Sequence, residues 1–204
     1  TTNQPVTDCV CMTALLYIHG FLSSPQSFKA RVTRDWLAEH RPEVTFLCPH
    51  LTPYPDETAA TLQSLVETHL DQPLGLIGSS LGGFWASWLV ETYGLRALLV
   101  NPAVDPWQFM PAYVEVDLKG WHTDDSYRLN SGHIAALHQY HRPVTRHANY
   151  WLLAQTGDET LDYRQAQVRY QGCRQTIEPG GDHSFQGFER FLPEAVNFLL
   201  ARRD

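Results

Sequence analysis

Three residues of this chain combine the types and surroundings that nucleophilic catalysis needs: Ser80, Asp158 and His183. A serine hydroxyl is a weak nucleophile at neutral pH, so it requires a base within hydrogen-bond reach and a third group to orient that base. Ser80 lies in Gly78-Ser79-Ser80-Leu81-Gly82, a G-x-S-x-G segment. In a nucleophile elbow of that form the serine sits on a tight strand-to-helix turn, its hydroxyl raised above a sheet, with glycines where side chains would clash. The bare motif arises by chance in roughly one chain in fifteen of this length. Its flanks therefore carry the weight: an apolar run over 74–77 precedes it and an apolar, aromatic segment over 84–93 follows.

The partners stand downstream. Gly180-Gly181-Asp182-His183-Ser184 follows the last apolar run and offers His183 as the base; Gly157-Asp158-Glu159 follows the run before it and offers Asp158 as the orienter. Alternatives stay open: Ser79 as nucleophile if the elbow is misregistered, and Glu159, Asp162 or Asp105 as the acid. Asp182 is adjacent to His183, cannot readily align its ring, and reads as a loop residue. Acyl transfer also needs donors for the developing oxyanion. The elbow supplies the backbone N–H of Leu81, and His19-Gly20-Phe21, at the end of the first run, supplies that of Phe21. His19 itself reads as a residue that shapes the loop. The chemistry is acyl transfer through an acyl-enzyme with no cofactor, and activity is expected to fall as His183 protonates.

These residues need a scaffold that delivers loops to one edge of a sheet. Six short β-type runs, 14–18, 44–48, 74–77, 97–100, 150–154 and 173–177, are mostly continuous rather than alternating. Strands of that kind are buried on both faces, the mark of a parallel sheet covered by helices. Helices are expected between them: after Ser24-Pro25, with an apolar face of Phe28, Val32, Trp36 and Leu37, and after Pro55-Asp56, with Leu62, Leu65, Val66 and Leu70. The helix after Ser80 is apolar nearly all round until Glu91 and a C′ glycine, Gly94. Leu192-Pro193 opens a last helix whose dipole Arg202 and Arg203 would complement. Alternation of β and α predicts a compact α/β fold, a mainly parallel six-stranded sheet with helices on both faces.

The stretch 101–149 breaks the alternation, contains no convincing strand, and predicts a cap insertion over about 103–149 with a helix near 131–140. Its Trp107, Phe109, Tyr113, Trp121 and Tyr127 could form an apolar roof or simply pack the cap against the body. Trp85, Trp107 and Phe109 are the candidate substrate-pocket residues.

At 204 residues, 43% hydrophobic and 12% aromatic, the chain predicts a single domain, 1–204, with a substantial core. No apolar run approaches the roughly 20 residues of a membrane span, so membrane insertion is not expected. The start lacks the basic end and apolar core of a secretory signal, which makes the cytoplasm the expected compartment. Net charge −7 and a pI near 5.7, with dispersed basic residues, set nucleic-acid binding aside. Cys9, Cys11, Cys48 and Cys173 lack the paired spacing of a zinc site, and His122, His133, His138, His141 and His147 make no i, i+4 pair, so no metal is assigned. Nothing in the sequence fixes an oligomeric state.

Taken together, several segments resemble the α/β-hydrolase superfamily and, more narrowly, the small YqiA-like bacterial esterases. They are Tyr17-Ile18-His19-Gly20-Phe21 with Ser23-Ser24-Pro25, the elbow through Gly83, Asn101-Pro102-Ala103-Val104, Gly157 to Tyr163, and Gly181-Asp182-His183-Ser184-Phe185. The order serine, acid, histidine is that of α/β-hydrolases and differs from the chymotrypsin and subtilisin orders. The resemblance implies an esterase of short acyl esters or fatty acyl thioesters with Ser80, Asp158 and His183 as triad. It also implies a sheet lacking the two leading strands of larger relatives. Asp105 departs from the family pattern, in which a basic residue commonly follows Asn-Pro-Ala-Val. The reading is a serine carboxylesterase acting on a small-molecule acyl ester or thioester. An acyl-CoA thioesterase or acyltransferase, and a noncatalytic ligand-binding protein of the same shape, are the alternatives; a peptidase has little support.

Overall fold

Continuous apolar runs demand cover on both faces, and the computed structural model, which describes residues 12–201, supplies it. In chain order the strands are β1 (Thr13–Ile18), β2 (Val44–Leu47), β3 (Leu74–Ser79), β4 (Arg96–Val100), β5 (Asp117–Lys119), β6 (Ser126–Arg128), β7 (Tyr150–Gln155) and β8 (Arg174–Glu178). Six of them form one sheet in the order β2-β1-β3-β4-β7-β8, with every neighbouring pair parallel. Along β1, Ala14, Leu16 and Ile18 enter one core cluster while Leu15 and Tyr17 enter the other. Along β7, Tyr150, Leu152 and Ala154 alternate with Trp151 and Leu153 in the same way.

The helices are α1 (Phe28–His40), α2 (Pro55–Thr68), α3 (Leu81–Tyr93), α4 (Ser131–Ala136), α5 (Tyr163–Arg169) and α6 (Leu192–Leu200). Residues of α2, α3 and α5 fill the first cluster, and residues of α1 and α6 the second, so helices cover both faces. In α3 every residue from Leu81 to Val90 is buried. Each large apolar side chain there contributes about 1.5–3 kcal/mol by leaving water. The helix ends where expected, at Gly94 in the left-handed region. Pro55 occupies the first turn of α2, with Asp56 and Glu57 beside it complementing the dipole.

Several expectations need correcting. Ser24-Pro25 does not cap α1: the Gln26 N–H donates to Ser24 Oγ (3.0 Å) and the Ser27 N–H to Ser24 O (3.1 Å). This local turn engages the serine, and the helix starts only at Phe28. The buried stripe of α1 is Ala30, Thr33 and Leu37, and Phe28 is exposed. The stretch 101–149 does hold strands, since β5 and β6 pair as a small antiparallel ribbon. Their three-residue sequences, Asp-Leu-Lys and Ser-Tyr-Arg, bury only Leu118 fully and leave almost no apolar signal. The helix expected near 131–140 is α4 followed by a 3₁₀ turn, Leu137–Tyr140. Cys9, Cys11, Arg202 and Arg203 lie outside the described residues.

The topology also places the site. From β1 the chain moves outward to β2 and then returns across to β3, so strand order reverses between β1 and β3. Loops leaving the carboxyl ends of two such strands diverge and leave a crevice, where open α/β sheets bind ligands. The loops here carry Phe21 and Ser80.

Candidate active site

The elbow is built as a strained turn. Ser80 has φ 55 and ψ −121, between the last residue of β3 and the first of α3. Such a non-glycine conformation costs on the order of 1–3 kcal/mol and persists only where the surroundings fix it. They do so through its backbone: the Ser80 N–H donates to Val100 O (3.1 Å), and Ser80 O accepts from Gly83 (2.9 Å) and Ala103 (2.8 Å). The flanking glycines are steric requirements. A β-carbon at Gly78 would lie 2.9 Å from that of Ala86, and one at Gly82 would lie 2.7 Å from the Ile18 carbonyl carbon. Helix α3 thereby rests directly on β1 and β3.

Ser80, His183 and Asp158, up to 103 residues apart in sequence, meet at the carboxyl edge of the sheet. His183 Nε2 stands 3.0 Å from Ser80 Oγ, and Nδ1 stands 2.9 Å from both carboxylate oxygens of Asp158. The Asp158 side chain is only 2% exposed, against 24% for His183. Its Oδ1 also accepts the N–H groups of Thr160 and Leu161, each at 2.9 Å. With the carboxylate accepting here as it does from Thr160 and Leu161, Nδ1 is the donating nitrogen and the Nε2 lone pair faces the serine hydroxyl.

The rival acids are engaged elsewhere. Glu159 accepts the backbone N–H of His183 (3.0 Å) rather than its ring. Asp162 caps α5 and pairs with Arg164 (2.8 Å). Asp105 stands after β4, on a wide cleft of about 550 Å³ with Val104, Gln108, Arg164 and Arg169. Asp182 accepts from Gln186 Nε2 (2.6 Å).

The backbone at Gly20 passes against the serine, so close that a β-carbon there would stand 3.2 Å from Ser80 Cβ. Among the described residues neither the Phe21 nor the Leu81 N–H donates to a protein acceptor. His19 holds this loop. Its Nε2 accepts the Leu51 N–H (2.9 Å), which leaves Nδ1–H to donate to Gly20 O (2.8 Å). Burial lowers its pKa to about 4 and keeps the ring neutral.

The candidate pocket residues have other surroundings. Trp85 is 3% exposed and enclosed by Phe84, Trp88 and Tyr140, which argues for packing between α3 and the cap rather than a pocket wall. Trp107 stacks on His138 (4.1 Å) with its edge to Phe84, and Phe109 packs on the same core. Trp121 does not roof anything, being 78% exposed. Its backbone N–H donates to Leu22 O (2.8 Å), and Tyr113 packs on Phe21 (5.1 Å), so both flank the Phe21 loop. Of the histidines between 101 and 149, His133 forms a capping box with Asn130, and His138 and His141 pack on Trp107.

Four side chains hold the His183 loop: sequence reasoning missed Gln155 and Lys29, weighed Glu159 only as an acid, and named Asn101 only within a family-like segment. Lys29 Nζ donates to Ser184 O (2.8 Å), and burial lowers its pKa to about 8. Gln155 had a readable signal, because it ends a strand otherwise apolar on both faces, where a polar side chain must find partners. Asn101 had one too, as the first polar residue after a buried strand and before a proline.

Comparison with known proteins agrees with this architecture. A profile of the family described as "Uncharacterised protein family (UPF0227)" matches residues 14–200. Solved structures with the same fold include Est1E of Butyrivibrio proteoclasticus with ferulic acid bound (TM-score 0.64, 15% identity, covering 95% of this chain and 90% of that one). Mouse alpha/beta hydrolase domain-containing protein 10 aligns with TM-score 0.66 at 15% identity, over 90% of this chain and 89% of that one. An esterase of Pyrococcus furiosus aligns with TM-score 0.60 at 14% identity, over 92% and 81%. The fold is that of the α/β-hydrolases.

Proposed function

The chain belongs to the UPF0227 protein family, and from that premise we propose that it is a cofactor-free serine carboxylesterase of short- to medium-chain acyl esters. The observation that carries the reading is the unbroken line of hydrogen bonds from Ser80 Oγ through His183 to Asp158. Ser80 Oγ attacks the ester carbonyl carbon while His183 Nε2 takes its proton. The carbonyl electron pair moves onto oxygen, facing the N–H groups of Leu81 and Phe21. Collapse breaks the ester C–O bond, and His183 returns the proton to the departing alcohol. Water then attacks the Ser80 acyl ester, gives its proton to His183, and the second collapse releases the acid and restores the serine hydroxyl. Asp158 keeps the imidazole in the working tautomer and stabilises its charged form.

The Phe21 and Tyr113 rings form an apolar wall beside the Phe21 amide, which suits an apolar acyl or aryl group. The test is hydrolysis of p-nitrophenyl esters from acetate to palmitate, a hydroxycinnamate ester and matched acyl-CoAs by the wild type and Ser80→Ala, both shown folded by circular dichroism. Ester turnover that vanishes in Ser80→Ala is the expected result. Equal rates in the two proteins would overturn the reading, and a large kcat/KM preference for acyl-CoA would replace it with a thioesterase.

A further inference from the structure

The loop that carries His183 cannot support itself. Gly180, Gly181 and Phe185 all have positive φ, and from Asp182 to Phe185 a single internal backbone bond forms, from the Phe185 N–H to Asp182 O (3.1 Å). Its remaining polar groups must find side chains or water.

Glu159 and Lys29 meet part of that need, at His183 N–H and Ser184 O, and two buried amides meet another part. Asn101, 3% exposed, donates both Nδ2 hydrogens to consecutive carbonyls, Asp182 O (2.9 Å) and His183 O (3.0 Å), and its Oδ1 accepts the Gln155 N–H (3.0 Å). Gln155, also 3% exposed, accepts the N–H groups of Asp182 (3.3 Å) and Gln186 (2.8 Å) on Oε1. Its Nε2 donates to Gln186 O (2.9 Å) and Glu178 Oε1 (3.1 Å). Every donor on both amides is used. Their orientation is fixed by this pattern, since exchanging N and O at either would set oxygen against carbonyl oxygen. Asn101 itself adopts φ 41, a region asparagine tolerates better than other non-glycine residues.

We propose that Asn101 and Gln155 are positioning residues that act as a clamp, fixing the backbone of the histidine loop so that Nε2 meets Ser80 and Nδ1 meets Asp158. The inference rests on the esterase reading for its kinetic consequence but not for its structural one. The clamp ties the loop to β4 and β7, whose carboxyl ends also carry the Ala103 contact to Ser80 and the Asp158 loop. One rigid block thus presents all three side chains. Displacing a reacting group by about 1 Å can cost on the order of 100-fold in rate.

The test uses Asn101→Gly, which keeps the backbone conformation and removes the amide, and Gln155→Met, which keeps length without polar atoms. Thr176→Val serves as a destabilised control, because it removes a comparable bond, from Trp151 Nε1 (3.0 Å), away from the loop. Two readouts are taken below the melting range of all variants. These are kcat and KM for the best p-nitrophenyl ester, and the downfield proton resonance of His183 Nδ1–H, assigned by its loss in His183→Ala. The clamp predicts kcat reduced on the order of 100-fold with KM within about twofold in both clamp variants. It also predicts that their Nδ1–H resonance is broadened or absent, while Thr176→Val lowers Tm but keeps kcat and the resonance. Clamp variants that retain wild-type kcat and a sharp resonance would overturn it, as would loss of both signals in Thr176→Val. If wild type shows the resonance yet hydrolyses no ester, the esterase reading fails, and the resonance in the variants decides the clamp by itself.

Discussion

Gly82→Ala tests how closely the elbow depends on backbone packing. The added β-carbon would collide with the carbonyl oxygen of Ile18, its nearest neighbour, and lie 2.7 Å from the carbon of that carbonyl and 3.0 Å from the carbonyl oxygen of His19. Carbon atoms in ordinary contact stand about 3.5–4.0 Å apart, so at least about 0.8 Å must be opened between the start of α3 and the end of β1. Neither side yields easily, because both are backbone in a buried layer. Overpacking of this kind typically costs about 1–3 kcal/mol in stability. The kinetic consequence is larger, since the gap opens between the two loops that bear Leu81 and Phe21. A misplacement of this order costs about 100-fold in rate, and loss of one oxyanion donor costs about 100- to 1,000-fold. Urea denaturation with initial rates on p-nitrophenyl butyrate measures both effects. A folded Gly82→Ala enzyme with kcat within threefold of wild type would refute the claim that this contact sets the spacing of the oxyanion donors.

Asp158→Asn keeps an acceptor for Thr160 and Leu161 but turns an amide N–H toward His183 Nδ1, which forces the proton onto Nε2; kcat is expected to fall about 10⁴-fold with the fold intact. A loss of less than tenfold would show that Asp158 is not the orienting acid. Stability should fall on acidification through His19. Its folded pKa is depressed from 6.5 to about 4, so the neutral form's contribution is full above about pH 6.5 and is lost as pH falls toward 4. The shift corresponds to about 3 kcal/mol at most. Denaturant midpoints of wild type and His19→Gln at pH 7 and pH 4.5 measure it; equal acid sensitivity in both would show that His19 is not responsible.

The α/β core was legible because each central strand is an apolar run covered on both faces, as in Ala14 to Ile18 and Tyr150 to Ala154. That Ser80, Asp158 and His183 would meet was legible because a strand-to-helix turn and two strand-end loops have local sequence signatures, Gly78 to Gly82, Gly157-Asp158 and Gly181-Asp182-His183. Within 101–149 the helix near 131–140 was legible and the ribbon was not: it is short, polar and only partly buried, so nothing in Asp117–Lys119 or Ser126–Arg128 separates it from a loop. Trp85 and Trp121 show the limit from two sides. Aromatic character announces burial or binding alike, and only the neighbours decide that Trp85 is core while Trp121 lies open beside Leu22. Asn101 and Gln155 escaped for another reason, since their partners are backbone atoms of a loop up to 82 residues away.

Covalent labelling shows whether Ser80 is a nucleophile activated by His183. Wild type, Ser80→Ala and His183→Ala are each incubated with a fluorophosphonate at neutral pH, and the adduct is located by peptide mass spectrometry. One stoichiometric adduct on Ser80 is expected in the wild type, none in Ser80→Ala, and labelling slowed by orders of magnitude in His183→Ala. Labelling at another residue, no labelling of the folded wild type, or equal rates with and without His183 would contradict it.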